Sequence, residues 1–215
     1  MAERISVAMC TWNGERYLPA QLDSIAAQTR LPDELVACDD GSTDGTVALL
    51  RAFAARAPFA VRVLVNERNL GSTRNFEQAI GLCRGEVVAL ADQDDAWPPE
   101  KLARFEAVFR ARPGVGLVFS DGLVVDDALR PVGARLWESF GITPRMLRRI
   151  SRGEAFSLLL SRNLVTGAAM AFRARAAEGA LPVPEGTGRI HDGWIALVAA
   201  ARAEVAALPE PLLLY

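Results

Sequence analysis

The sequence predicts an α/β fold, a three-layer α/β/α sandwich around a mostly parallel central sheet. Short apolar runs alternate with amphipathic stretches through the first half of the chain, as they do where strands are buried on both faces beneath helices. Clusters of Asp, Asn, Gly and Thr follow the strands, at the carboxyl edge where such sheets bind ligands. The 215 residues, 51% of them hydrophobic, suffice for a substantial core and point to one domain over 1–215.

The elements follow in order. Residues 5–10 read as a buried strand and 17–28 as a helix; 35–38 is again strand. Residues 46–57 form a helix with Val47, Leu50, Phe53, Ala54 and Ala57 on one face, and 61–65 is strand. A helix begins near Thr73 with Ser72 as its N-cap, its apolar stripe being Phe76, Ala79, Ile80 and Cys83. Residues 86–91 are strand, and 100–110 are helix with Leu102, Phe105 and Phe109 facing inward. The second half is less regular. A strand is expected at 115–120, a hairpin-like excursion at 121–132, and loop with short helix at 136–153. Apolar segments at 156–160 and 168–172 precede a helix at 192–201.

Composition excludes several classes. A formal charge of −2 lacks the basic excess of a nucleic-acid binder. Cys10, Cys38 and Cys83 lie in or beside apolar segments without CxxC spacing, so they read as reduced core residues of a cytoplasmic protein. Met1-Ala2-Glu3-Arg4 leads straight into a strand, which argues against a signal peptide. The best membrane-span candidate, 155–172, is broken by Arg162 and Asn163.

Chemistry concentrates at Asp92-Gln93-Asp94-Asp95, where an apolar strand ends in three carboxylates. Acids crowded at a strand end repel one another and call for a partner. Alternation along an extended chain puts Asp92 and Asp94 on one side and Gln93 on the other. Two carboxylates so placed suit Mg²⁺ or Mn²⁺ shared with a phosphate-bearing substrate. An acidic turn capping the next helix is the plainer alternative, but one acid would serve for that. A second cluster runs from Asp39-Asp40 through Gly45. It opens like a calcium loop, yet its twelfth position is Arg51 rather than a bidentate Glu, and it lacks the spacing of familiar phosphate loops. A turn with adjacent acids at the ligand edge remains.

Four segments occur in order: Ile5-Ser6-Val7-Ala8-Met9-Cys10-Thr11-Trp12-Asn13-Gly14; Asp39-Asp40-Gly41-Ser42-Thr43-Asp44-Gly45-Thr46; Asn69-Leu70-Gly71 with Arg74-Asn75; and Asp92-Gln93-Asp94-Asp95-Ala96-Trp97. Together they resemble glycosyltransferase family 2, inverting nucleotide-sugar enzymes with the Rossmann-like GT-A fold, and the Asp-Gln-Asp-Asp-x-Trp form resembles its bacterial rhamnosyltransferase-like branch. The resemblance implies a nucleotide-binding half at 1–111 and an acceptor-side half at 112–215. It implies that Thr11, Trp12 and Asn13 meet the nucleotide, Trp12 stacking on the base, with Asp39 on a base N–H, Asp40 at the ribose and Arg74 near the base or diphosphate. Asp92 and Asp94 match the DxD motif that holds Mg²⁺ or Mn²⁺ on the diphosphate, and Asp95 contacts the sugar or caps the next helix.

The resemblance also implies a general base, Asp192 in Arg189-Ile190-His191-Asp192-Gly193-Trp194, with helix capping as the alternative. His191, the only histidine, orients base or acceptor unless it is an incidental surface residue. Asn163-Leu164-Val165-Thr166-Gly167 matches a segment on the donor-sugar and acceptor side, where Thr166 and Gly167 offer a hydroxyl and an open backbone N–H, together with Trp194; a tight turn before a strand is the plainer reading. Arg145, Arg148, Arg149 and Arg152 make a basic patch suited to anionic lipid headgroups or a lipid-linked diphosphate acceptor, with a solvated face as the plainer reading.

The expected activity is transfer of a sugar, from dTDP-L-rhamnose or a UDP-hexose, to a glycan or lipid-linked acceptor in bacterial surface polysaccharide synthesis, at the cytoplasmic face of the membrane. The rivals are a sugar nucleotidyltransferase, which would need a basic glycine-rich loop after the first strand, and a nucleotide-sugar-binding relative without turnover. Relatives in this branch continue past a Leu-x-Tyr strand into an Arg-x-His segment, whereas this chain stops at Pro211-Leu212-Leu213-Leu214-Tyr215; truncation or loss of that element is therefore expected.

Overall fold

The computed structural model describes residues 3–215; Met1 and Ala2, which the sequence places directly before the first strand, lie outside the described residues. The first half alternates as expected: β1 (Ile5–Thr11), α1 (Leu18–Ala26), β2 (Glu34–Asp39), α2 (Thr46–Ala54), β3 (Ala60–Val65), α3 (Ser72–Leu82), β4 (Val87–Asp92) and α4 (Lys101–Ala111). The second half comprises β5 (Val115–Val125), β6 (Pro131–Arg135), α5 (Leu136–Ser139), α6 (Pro144–Ser151), α7 (Ala155–Ser161), β7 (Met170–Arg173), α8 (His191–Arg202) and β8 (Glu204–Leu214).

One sheet runs in the order β3-β2-β1-β4-β7-β5-β6, with β8 also pairing β5. The β3-β2-β1-β4 portion is parallel throughout, as short strands joined by crossover helices must be. β7 enters antiparallel between β4 and β5, and β8 returns parallel to β5. Alternation along β1 divides the core into two layers. Ala8 and Cys10 pack with Phe76 of α3 and Ile195 of α8. Val7 and Met9 pack on the other face with Leu22 of α1 and Phe105 of α4. That two-sided burial is why these strands read as unbroken apolar runs.

Two local expectations need correction, the cap of α3 and the extended backbone of the acid cluster. Ser72 is the first residue of α3, not its N-cap; Gly71 takes that position at φ +84°, a conformation that a side chain at the expected cap would resist. The hairpin-like excursion expected at 121–132 is present, as the far end of the long β5 turning back into the antiparallel β6, and β8 extends the sheet beyond the last helix expected. The turn at Gln93 and Asp94 replaces the extended backbone from which their alternation was argued.

Candidate functional site

The carboxyl ends of β1, β2 and β4 converge on a cavity of ≈ 490 Å³, whose wall includes Thr11, Trp12, Asp40, Phe76, Asp92 and Asp94. The loops after β1 and β2 are laced together by side chains. Asp39, fully buried, accepts the Thr11 hydroxyl at 2.8 Å, the Ser42 hydroxyl at 2.5 Å and the Ser42 N–H at 2.8 Å. Asn13, held at φ +47°, accepts the Thr43 N–H at 2.9 Å while its own N–H donates to Ser42 Oγ. Asp39 and Asn13 thus lace the two loops together, and neither is on the wall of the cavity where the resemblance put them as ligand contacts.

Asp40 is the residue that reaches the cavity. Its Oδ1 accepts the Asn66 amide at 2.9 Å and the Leu70 N–H at 2.8 Å, and its Oδ2 accepts the Gly71 N–H at 2.9 Å. The Asn69-Leu70-Gly71 loop is thereby hung on the end of β2. Trp12 stands 54% exposed on the cavity wall, free to offer a ring face. Its backbone is gripped from the acid turn: its N–H donates to Gln93 Oε1 at 2.8 Å, and Gln93 Nε2 donates to its carbonyl at 3.0 Å. The aromatic platform and the acids are thus held in one frame.

Asp92 and Asp94 both line the cavity despite the turn. Burial, followed by the charges of Asp94 and Asp192, raises the Asp92 pKa to about 7. Asp95 lies behind them, buried, with Oδ2 lacking any hydrogen-bond partner, and burial lifts its pKa to about 8. Beneath sits Lys101, fully buried, donating to the Ala168 carbonyl and standing 4.2 Å from the centre of the Trp97 ring. Burial lowers its pKa to about 7 against the opposing pull of Asp95 and Asp92. The turn is pinned on both flanks: Ala96 and Leu214 exchange N–H···O bonds of 3.0 and 2.8 Å, and the Trp97 N–H donates to Ser24 Oγ. The C-terminal strand thus ties down the acid turn.

Asp192 lies in the first turn of α8, with Ile190 at the N-cap position and no side chain capping. Its Oδ1 accepts the Asn163 amide at 3.1 Å and the Gly193 N–H; its Oδ2 accepts the Gly167 N–H at 3.1 Å. Burial raises its pKa, against those hydrogen bonds. The Gly167 N–H is accordingly engaged rather than open, which corrects that expectation. Thr166 is half-buried, and its carbonyl accepts the Ala169 N–H.

His191 is buried, not a surface residue. Its ring stacks on Phe76 with centroids 4.1 Å apart, its Nδ1 has no hydrogen-bond partner, and burial lowers its pKa to about 4. A neutral imidazole therefore backs the Phe76 wall. Trp194 packs against the core and donates its indole N–H to the Ala180 carbonyl at 2.8 Å, so it is corrected from a pocket residue to a packing residue. Arg74 lines a neighbouring hollow, not the main cavity, where Glu77 at 2.8 Å and Glu185 at 3.4 Å hold it. Of the basic patch, Arg149 is paired with Glu154 at 2.7 Å.

Sequence reasoning missed Lys101, the grip of Gln93 on Trp12, and the bond from Asn163, in the segment expected on the acceptor side, to Asp192. Lys101 had a signal, for it shares the i, i+4 stripe of Phe105 and Phe109 and so had to face the core. The partners of Gln93 and Asn163 had none, since they lie 81 and 29 residues away. Among the described residues no three His, Cys, Asp or Glu side chains group to hold a metal, so Asp92 and Asp94 would supply only part of an ion's shell.

Comparison with known proteins agrees with this geometry. A family model described as glycosyl transferase family 2 matches residues 6–178. An uncharacterized protein of Mycobacterium tuberculosis is 29% identical over 213 residues, covering 98% of this chain and 58% of that protein; the chain thus spans little more than half of such relatives. Among solved structures, S. aureus TarS residues 1–349 in complex with UDP aligns with a TM-score of 0.76 at 20% identity, covering 99% of this chain and 60% of that one. The mannosyltransferase PcManGT from Pyrobaculum calidifontis, in complex with GDP-Man and Mn²⁺, aligns at 0.73 and 23% identity, covering 100% of this chain and 57% of that one.

Proposed function

Because this chain belongs to glycosyl transferase family 2 and carries the GT-A fold, we propose that it transfers a sugar, with inversion, from a nucleoside-diphosphate donor to an acceptor hydroxyl. One observation carries the reading: a single cavity joins an exposed aromatic and a buried carboxylate at one side to two crowded carboxylates at the other. Those are the chemistries that a base, a ribose and a diphosphate require. The neighbours bound to UDP, or to GDP-Man with Mn²⁺, support a nucleotide-sugar partner.

In this reading Trp12 stacks on the base, Asp40 rather than Asp39 meets the base or ribose, and Thr11 lines the floor. Asp92 and Asp94 hold Mg²⁺ or Mn²⁺. The donor set fits such a hard ion: Asp92 and Asp94 both reach the cavity, burial and then the charges of Asp94 and Asp192 lift the Asp92 pKa, and Asp95 adds a buried oxygen without a partner among the described residues. When bound, the ion neutralises charge on the departing diphosphate. Asp192 accepts the proton of the acceptor hydroxyl as its oxygen bonds to the anomeric carbon and the bond to the diphosphate breaks. Its raised pKa suits a base working near neutrality. Arg74 would reach a diphosphate only by leaving Glu77 and Glu185.

The donor is dTDP-L-rhamnose or a UDP-hexose, and the acceptor a glycan or lipid-linked saccharide of a bacterial surface polysaccharide, used at the inner face of the plasma membrane. Among the described residues no helix is long and apolar enough to cross a membrane, and we propose peripheral association at that face. Donor hydrolysis with Mn²⁺ tests the reading. Turnover of dTDP-rhamnose or a UDP-hexose is expected; nucleotide binding without turnover, in this chain and in a C-terminally extended one, would make it a binding relative.

A further inference from the structure

A second cavity, of ≈ 330 Å³, opens beside Asp192 and is lined by Arg162, Asn163, Thr187, Gly188, Arg189 and Gly193 among others. Asn163 links this hollow to the carboxylate, since the same side chain donates to Asp192 Oδ1 and packs against Gly193. Asp192 is near enough to Asp92 to raise its pKa. The carboxylate is thus within electrostatic reach of the acid turn and hydrogen-bonded to a wall residue of this second hollow.

The hollow is cationic. None of its lining residues is acidic. Among the described residues neither Arg162 nor Arg189 has a carboxylate partner, whereas Arg74, Arg135 and Arg149 are each paired. Both guanidiniums are nonetheless anchored. Arg162 Nη2 donates to the Phe140 carbonyl at 2.7 Å, and Arg189 Nη2 donates to the carbonyls of Leu159 and Leu160, each at 2.8 Å. These bonds position the guanidiniums without neutralising them, and leave the remaining N–H groups of each fork to meet a ligand. A pre-positioned guanidinium pair without counter-charge is the arrangement that recognises phosphate.

We propose that this cavity is the acceptor subsite and that Arg162 and Arg189 bind a phosphoryl group of the acceptor, delivering its hydroxyl to Asp192. The inference rests on the transferase reading for the identity of the site as an acceptor site, but the anion binding can be measured without it. The phosphoryl group belongs either to a soluble sugar phosphate or to a lipid headgroup.

Amide NMR of the full chain separates the cases. Titration with inorganic phosphate should move the resonances of Gly188 and Gly193 to saturation, while UDP with Mn²⁺ should move those of Trp12 and Asp40. Arg162→Gln with Arg189→Gln should weaken phosphate binding at least about ten-fold, the loss expected for one charge-assisted bond, and leave UDP binding unchanged. Arg189 also tethers α7, so Arg162→Gln alone serves as an independent variant; it leaves Arg189 and its bonds to Leu159 and Leu160 in place, and should weaken phosphate binding as well. Sedimentation with phosphatidylglycerol vesicles against phosphatidylcholine vesicles identifies the source. Arginine-dependent binding to the former with no response to free phosphate supports the proposal with a lipid headgroup as ligand. If neither phosphate nor anionic vesicles respond, or if both bind the variants equally, the proposal is overturned. Loss of the UDP response alone would refute the transferase reading while leaving the anion site standing.

Discussion

Replacing Asp192 with Asn separates catalysis from structure at the residue on which the proposed chemistry depends. The carboxylate accepts three hydrogen bonds, two at Oδ1 from Asn163 and Gly193 and one at Oδ2 from Gly167. An amide must put its NH₂ at one of these positions, and the less costly choice is Oδ2, where one N–H loses its acceptor. A buried donor left unpaired costs about 1–3 kcal/mol. For a chain of this size that lowers the melting temperature by about 2–12 °C. The fold should therefore survive, and donor binding should hold, because Asp192 is not on the wall of the nucleotide cavity. Transfer should fall by about 10²–10⁴, the usual contribution of a positioned base, or roughly 3–5 kcal/mol of barrier. The assay is steady-state transfer with UDP affinity measured in parallel. A variant that keeps kcat within about three-fold of the parent would refute the assignment; loss of UDP affinity equal to the loss of rate would show a purely structural role.

Trp12→Ala should weaken UDP by about 1–3 kcal/mol, the worth of one stacked base, in calorimetric titration. Asp39→Asn should lower stability by about 1–3 kcal/mol in chemical denaturation with little change in UDP affinity, whereas Asp40→Asn should cost about ten-fold in UDP binding. A third expectation concerns pH. The Asp92 pKa in the fold, about 7, lies above the unfolded value of about 3.9, so its ionisation is disfavoured in the fold. Stability held below about pH 4 is then lost as pH rises through about 7 in metal-free protein. Mn²⁺ takes the ionised carboxylates, so it should raise the melting temperature more at about pH 7.5 than at about pH 5.5 in thermal-shift assays; an equal shift at both would remove Asp92 from the ion's shell.

Much of the molecule was legible because its signals are local. Alternating apolar runs mark β1, β2 and β4, and the acids at 39–40 and 92–95 lie where those strands end. Side-chain direction at those ends was not legible. Asp39 and Asp40 are neighbours with the same chemistry, yet the first is claimed by Thr11, 28 residues away, and the second by Leu70, 30 residues away. The turn at Gln93 and Asp94 broke the alternation argued for the acids, although both Asp92 and Asp94 reach the cavity. His191 could be judged surface or site from its neighbours; only the packing of α8 on α3 buried it against Phe76.

By itself the sequence determined the strand–helix order, the two-sided burial of the parallel strands and the placing of acids at their carboxyl ends, since periodicity and turn chemistry act over a few residues. Tertiary structure decided which acid faces the cavity, that Lys101 lies beneath the acids, that β8 pins their turn, and that two arginines without a carboxylate partner among the described residues line a hollow whose Asn163 is bonded to Asp192. These depend on partners distant in the chain, and a buried charge or polar group takes its direction from whichever partner the folded packing brings within hydrogen-bonding reach.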